Sequence, residues 1–140
     1  MADTFQLEVA TPERLLIQEQ VTEAQIPAAS GMIGVLPDHA PLLGELGTGE
    51  LSYNGREGRR TVVVSGGWVQ VLNNEVRVMA DSAEHASEID VSRAEAALKR
   101  AQEMLALPPT AGTDVAHALN ALKRAEARLT AAGAPARSHR

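Results

Sequence analysis

The sequence predicts a two-part β + α protein, in which an N-terminal antiparallel β-sandwich, or flattened barrel, precedes a C-terminal antiparallel α-helical hairpin. Short alternating apolar runs fill the first part, and nine of the 11 glycines lie within 31–67. Of the 24 alanines, 16 lie at or after position 86, where a helix-forming composition begins. Two matched helical stripes follow. We therefore predict a sandwich over 1–86, a hairpin over 87–133 and a disordered tail over 134–140.

The strands are predicted from period-2 alternation and from the turns between them. Apolar and polar residues alternate over 5–9, and three consecutive valines at 62–64 predict a buried strand. Alternating valines over 69–78 are interrupted by Asn-Asn at 73–74, and asparagine tolerates the left-handed conformation of a tight turn. Asn-Gly at 54–55 predicts a second tight hairpin turn. Many short strands with frequent turns indicate a sandwich.

Two glycine-containing stretches, 31–43 and 65–68, interrupt the strand pattern. In the first, Met32 and Ile33 lie between two glycines, where a loop tip could expose both side chains for a protein contact. Both side chains could equally point inward while the glycines form a bulge. The sequence favours neither arrangement.

The second half predicts two helices joined by a proline-containing turn. Ser87 and Asp90 have the spacing of a capping box before the first helix, and Thr113 or Asp114 is the predicted cap of the second. The prolines at 108–109 end the first helix. Apolar positions in both helices follow steps of 3, 4, 3 and 4, which predicts two matching seams. They are Val91, Ala94, Leu98, Ala101 and Leu105, then Val115, Ala118, Leu122, Ala125 and Leu129.

Alanine takes up four of these ten seam positions. A buried alanine removes little apolar surface from water, and each Å² contributes only about 25 cal/mol. We therefore predict a marginally stable hairpin that can open.

Composition excludes several classes of protein. The net charge of -5 and the 2% aromatic content argue against a nucleic-acid partner. The absence of cysteine excludes disulfide frameworks and Cys-ligated metals. No apolar run approaches the roughly 20 residues of a membrane span, and the first residues lack a signal-peptide pattern, so we expect no direct membrane insertion.

The charge is divided unevenly along the chain. Residues 1–86 carry a net charge of -7, and residues 87–140 carry +2. A basic arm on an acidic body could visit an acidic surface of a partner. An ordinary solvated helix pair explains the same distribution, and charge alone favours that simpler interpretation.

No pattern in the sequence indicates catalysis or a metal site. The four histidines lack metal-ligand spacing, and neither a phosphate-binding loop with its lysine nor a nucleophile elbow occurs. Asp38 and His39 could orient Ser65 as a nucleophile, but a polar loop pair is the favoured interpretation. We therefore predict no catalytic residue and no metal ligand.

Four segments, in the order in which they occur, resemble the epsilon subunit of the F-type ATP synthase in its bacterial or chloroplast form. They cover 5–14, the stretch 31–43 that includes Gly-Val-Leu-Pro-Asp-His-Ala-Pro-Leu-Leu, the Val-Ser-Gly-Gly-Trp region over 64–84, and Ile-Asp-Val-Ser-Arg-Ala at 89–94. The resemblance extends over nearly the whole chain, to about Leu129.

This resemblance implies a non-catalytic part of the rotor. The sandwich would bind the gamma subunit and rest on the c-ring, and so help couple proton translocation to ATP synthesis. The hairpin would inhibit ATP hydrolysis by extending toward the beta and alpha subunits. The chain would be a peripheral protein at the cytoplasmic face of the bacterial cell membrane. No cofactor is required, but some members bind regulatory ATP.

The resemblance also assigns candidate residues. It places the c-ring and gamma contact at Gly31, Met32, Ile33 and His39. Many members carry glutamate where Met32 stands, which predicts a more apolar contact here. The possible ATP-binding residues are Ile89, Asp90, Arg93, Ala94, Arg100, Arg124 and Arg128. The inhibitory basic face comprises Arg93, Lys99, Arg100, Lys123, Arg124 and Arg128.

Other interpretations stay open from the sequence alone. Asp90 could serve only as a helix cap, with Arg93 paired to it or to Glu95. The chain could also be a free-standing ligand-binding β-domain with a helical oligomerisation arm, or a small hydrolase.

Overall fold

A computed structural model describes residues 2–107 and 114–133. It contains eight strands, a 3-10 turn and two helices in chain order. The predicted proline turn and the predicted disordered tail lie outside the described residues. The strands are β1 (Phe5–Ala10), β2 (Leu15–Val21), β3 (Glu23–Ala28), β4 (Gly31–Val35), β5 (Leu42–Glu45), β6 (Thr48–Gly55), β7 (Gly58–Leu72) and β8 (Glu75–His85). The 3-10 turn is Ala86–Glu88, and the helices are α1 (Val91–Ala106) and α2 (Val115–Ala131).

The strands form the predicted sandwich, followed by the predicted helical hairpin. The strand order is β2-β1-β8-β7-β6-β3-β4, with β5 paired to β7. Most pairings are antiparallel, but β1 and β8 are parallel. The described strand path ends at β2 and β4, so the sheet is not closed into a barrel. Its largest fully buried side chains include Tyr53, Phe5, Leu7, Ile26 and Leu51.

The long strand β7 changes partner at Gly66 and Gly67. Its first half pairs with β6 up to Ser65, and its second half pairs with β5 from Trp68 onward. Both glycines have positive φ, 71° and 115°. A Cβ on Gly67 would lie 2.0 Å from the carbonyl oxygen of Met79. Glycine is therefore required where the strand passes from one layer of the sandwich to the other.

The structure confirms one predicted hairpin turn and moves the other. Asn73 and Asn74 have φ of 52° and 62°, as the tight turn between β7 and β8 requires. The prediction at 54–55 was wrong, because Gly55 still pairs with Gly58 and the turn lies at 56–57. Gly55 instead allows Glu19 to approach, since a Cβ there would lie 1.9 Å from Glu19 Oε2.

The first helix begins differently from the prediction. Asp90, rather than Ser87, is the N-cap, and its Oδ1 accepts the Arg93 amide at 3.1 Å. The capping box was therefore misplaced: Glu88 Oε1 accepts the His85 amide, across the 3-10 turn. Asp114 caps α2 in the same way as Asp90 caps α1. The 3-10 turn takes the place of the expected first helical turn.

The two helices pack along most of the predicted seams, although Val115, the first predicted position of the second seam, is 44% exposed. The buried seam residues are Ala94, Leu98, Ala101, Ala118, Ala125 and Leu129. Helix α2 also packs against β6 and β7 of the sandwich. The structure therefore shows the hairpin folded down on the sandwich.

Candidate functional site

The sandwich exposes a continuous apolar row on its outer side. Trp68 of β7 lies directly opposite Met79 of β8, which pairs with Ala10 of β1, which in turn pairs with Leu15 of β2. Trp68 is 54% exposed, Met79 48% and Leu15 50%. Leu43 of β5, 70% exposed, pairs with Gln70, which lies on the same side of β7 as Trp68. We call these five apolar residues the outer apolar face.

Sequence reasoning did not select the outer apolar face as a site. Its signal was present, because Val69 and Val78 point into the core and strand alternation then turns Trp68 and Met79 outward. The missing information was the strand pairing, which brings residues from five strands onto one face. Contiguous exposed apolar side chains of this kind mark protein interaction sites more often than scattered ones do.

Of the predicted ring-contact residues, Gly31, Met32 and Ile33 lie on β4, and His39 lies in the loop between β4 and β5. Met32 is 58% exposed, whereas Ile33 is partly buried and packs against the sandwich core. Neither predicted arrangement is therefore correct as a whole, because both residues lie on a strand in regular register with β3 rather than at a loop tip or in a bulge. His39 follows Asp38, which has φ of 63° and whose amide donates to Asn74 Oδ1 at 2.8 Å. The loop that carries His39 is thus tied to the β7–β8 turn.

The structure does not support a hydrolytic arrangement at His39. Its Nδ1 lies 2.7 Å from the carbonyl oxygen of Ala40. The hydroxyl of Ser65 is hydrogen-bonded to that of Thr48 at 2.9 Å. Ser65 and His39 are therefore engaged with different partners. Among residues 2–107 and 114–133, no group of three or more acidic or histidine side chains is arranged to hold a metal ion.

The structure brings together only part of the predicted ATP-binding set. Ile89, Asp90, Arg93 and Arg128 line one cavity, with Glu84 and Glu88. Ala94 is buried in the helical seam and Arg100 is exposed. Arg124 lines other cavities, between α2 and the sandwich.

This cavity does not fit a nucleotide in the arrangement that the structure shows. Its volume is about 80 Å³, whereas ligand pockets typically begin near 300 Å³. The Nε of Arg128 donates to Glu84 Oε1, so a carboxylate already holds the guanidinium that phosphates would need. The Asp90 side chain is engaged as the α1 cap.

The predicted basic face is divided between two environments. Arg93, Lys99 and Arg100 of α1 are exposed. Lys123 and Arg124 of α2 line a cavity of about 660 Å³ between this helix and the sandwich. Glu45 and Asp81 of the sandwich line the same cavity, but none of the ion pairs among the described residues joins them to Lys123 or Arg124.

An ion pair ties the interdomain linker to the sandwich. Arg14 Nη2 donates to Glu88 Oε1 at 2.9 Å, and the same oxygen accepts the His85 amide at 3.3 Å. The hydrogen bond from Arg14, followed by that from His85, holds the pKa of Glu88 below its ordinary value. Hydrogen bonding to Glu88 likewise raises the pKa of Arg14. Both side chains are about half exposed, so the pair contributes little to overall stability.

Two family models match consecutive parts of the chain. The ATP synthase delta/epsilon chain β-sandwich domain matches residues 4–86, and the long α-helix domain of the same chain matches residues 87–133. This chain belongs to the ATP synthase delta/epsilon chain family. In the part of the chain that the structure describes, neither helix is long and apolar enough to cross a membrane.

Relatives of this family show high identity over almost the entire chain. The ATP synthase epsilon chain of Solibacter usitatus (strain Ellin6076) is 58% identical over 132 residues, which cover 94% of this chain and 98% of the relative. The epsilon chain of Koribacter versatilis (strain Ellin345) is 44% identical over 105 residues, covering 75% of this chain and 74% of the relative.

Solved structures agree with this family assignment. A chain of the Euglena gracilis mitochondrial ATP synthase, solved as OSCP/F1/c-ring, superposes with a TM-score of 0.80 at 26% identity. The match covers 94% of this chain and 82% of that one. A chain from the Tetrahymena thermophila mitochondrial ATP synthase central stalk and c-ring has a TM-score of 0.59 at 14% identity, covering 90% and 94%. That second likeness concerns the fold alone.

Proposed function

We propose that this chain is a non-catalytic central-stalk subunit that couples proton translocation through the c-ring to ATP synthesis. Membership of the delta/epsilon chain family, together with the outer apolar face, carries this proposal. In this role the chain is a peripheral protein at the cytoplasmic face of the bacterial cell membrane. Its sandwich is the coupling part and its hairpin the regulatory part.

The outer apolar face is the surface that we assign to the gamma subunit. It offers a large aromatic side chain, Trp68, flanked by Met79, Leu15 and Leu43. Aromatic residues and methionine are enriched in the cores of protein interfaces, where they dominate the binding free energy. Charged neighbours such as Glu45 and Arg77 would form the polar rim.

The c-ring contact is assigned to Gly31, Met32, Ile33 and His39. Met32 supplies the exposed apolar side chain, and Ile33 fixes the strand by packing on the core. Because Met32 is uncharged, this contact depends on apolar burial rather than on an ion pair.

Binding to the gamma subunit tests the proposed role most simply. The full chain and a version ending at Glu88 are each mixed with tagged gamma and captured. Both versions should bind equally, since the sandwich has its own core and carries the whole outer apolar face. Failure of both versions to bind gamma would refute the assignment.

The inhibitory role is assigned to the hairpin. Its extended form would present the basic face to acidic surfaces of the beta and alpha subunits, and so inhibit ATP hydrolysis. The small seam residues support an opening hairpin, because Ala94 and Ala125 at its centre bury little apolar area. The alternative of a helical oligomerisation arm has no such support, since the two seams face each other within this chain.

Regulatory ATP binding stays a prediction, and it demands a rearrangement. Glu84 would have to release Arg128, and the cavity beside Asp90 and Arg93 would have to widen. Calorimetry on the isolated chain decides this. A saturable heat at millimolar ATP, lost in an Arg93→Ala variant, is the expected result if the site forms. No heat at that concentration would refute regulatory binding.

A further inference from the structure

The ion pair between Arg128 of α2 and Glu84 of β8 joins the hairpin directly to the sandwich. Of the ion pairs among the described residues it is the least exposed, with the two side chains 38% and 26% accessible. The guanidinium contributes its Nε, so the contact is a charge-assisted hydrogen bond as well as an ion pair. Such contacts are about twice as strong as neutral hydrogen bonds.

Glu84 is surrounded by cations from two parts of the chain. Arg14, from the turn before β2, and Arg124 line a cavity of about 270 Å³ together with Glu84 and Arg128. The ion-pair partner of Arg14 is Glu88 rather than Glu84. Within the described residues, Arg128 pairs only with Glu84, and Arg124 lines the cavity without an ion pair. Removing the Glu84 charge would therefore leave the neighbouring arginines to repel one another, with no carboxylate between them.

We propose that Glu84 is a latch that keeps the hairpin folded by occupying Arg128, a cation that the extended hairpin needs for inhibition. This proposal rests on the inhibitory role given above. One guanidinium cannot pair with Glu84 and with an acidic partner surface at once, so the two states compete for it. Because the alanine-containing seam buries little apolar area, loss of the ion pair should shift the hairpin measurably toward its open form.

The latch predicts opposite effects from its two members. Glu84→Gln releases the hairpin and leaves the basic face intact, so inhibition of ATP hydrolysis becomes stronger. Arg128→Gln also releases the hairpin but removes a cation of the basic face, so inhibition becomes weaker. A purely structural role would give the same direction in both variants. Glu57→Gln is the matched control, because Glu57 pairs with Arg60 on the sandwich and not with the hairpin.

The first test uses hydrogen exchange on the isolated full chain. Glu84→Gln should accelerate exchange in the hairpin by roughly three- to tenfold. Exchange in the core strands should not change, and Glu57→Gln should behave as the wild type does. If Glu84→Gln leaves hairpin exchange at the wild-type rate, the latch is refuted. If this variant loosens the sandwich as well, Arg128→Gln, which changes only the hairpin side of the ion pair, replaces it, and accelerated hairpin exchange is then required of that variant.

The second test measures the chain concentration that gives half-maximal inhibition of the catalytic head. Glu84→Gln should lower this concentration by a few-fold, and Arg128→Gln should raise it. If Glu84→Gln accelerates hairpin exchange but inhibits ATP hydrolysis no more strongly than the wild type does, the folded and extended states do not compete for Arg128, and the proposal is refuted. If Glu84→Gln accelerates hairpin exchange but even the wild-type chain does not inhibit ATP hydrolysis, the inhibitory function is refuted instead. The two failures are therefore distinguishable.

Discussion

Replacing Trp68 with glutamate is expected to weaken binding to the gamma subunit by about 100-fold or more. Trp68 lies in the middle of the outer apolar face, between Glu45 of β5 and Met79 of β8. Burying a carboxylate there without a partner would cost far more than the loss of the indole contact alone. Surface capture or calorimetry with purified gamma measures the change.

A matched control separates this effect from a general loss of apolar surface. Leu107 is also a well-exposed apolar residue, but it lies at the end of α1, away from the sandwich strands. Leu107→Glu should bind gamma with the wild-type affinity. Because Trp68 is half exposed, Trp68→Glu should keep the fold, which circular dichroism verifies. Wild-type affinity in a folded Trp68→Glu variant would show that gamma binds elsewhere.

Replacing Gly67 with alanine is expected to destabilise the sandwich by about 3 kcal/mol or more. The position combines a φ of 115° with a Cβ that would lie 2.0 Å from the carbonyl oxygen of Met79. That oxygen belongs to the backbone of β8, so no flexible side chain can move away to relieve the clash. Denaturant unfolding gives the free energy of unfolding for the variant and the wild type.

Gly58→Ala provides the comparison that isolates the clash. Gly58 has φ of 97°, but a Cβ there would meet nothing within 4 Å. Its replacement should therefore cost only the backbone strain, about 1 kcal/mol. Equal losses at Gly58 and Gly67 would show that the approach of β7 to β8 is not what demands glycine at the corner.

The fold class was predictable because two periodicities are strong in this sequence. Alternation identified the buried faces of the strands, and the 3, 4, 3, 4 steps identified the seams that pack in the hairpin. Local turn chemistry was less informative. Asn-Gly at 54–55 has the composition of a tight turn, but Gly55 is used to admit Glu19 and the turn forms two residues later. Composition alone cannot distinguish these two uses of glycine.

The interaction surfaces were harder to predict than the fold. Met32 and Ile33 are neighbours with opposite environments, because a strand turns successive side chains to opposite sides. The outer apolar face requires strand pairing that spans residues 10–79, which no local pattern reveals.

The environments of the basic residues were also hard to predict from the sequence. Charge alone favoured a solvated helix pair, and Lys123 is exposed as expected, whereas Arg128 pairs with Glu84 of the sandwich.

Hydrolysis of ATP by the epsilon-free catalytic head measures the central claim most directly. The head, which must include gamma, is titrated with the full chain and with a version that ends at Glu88, which keeps the outer apolar face and the Arg14–Glu88 ion pair. The full chain should inhibit hydrolysis, and the shortened chain should bind without inhibiting it. Equal inhibition by both versions, or no inhibition and no binding by either, would contradict a coupling sandwich that carries a regulatory hairpin.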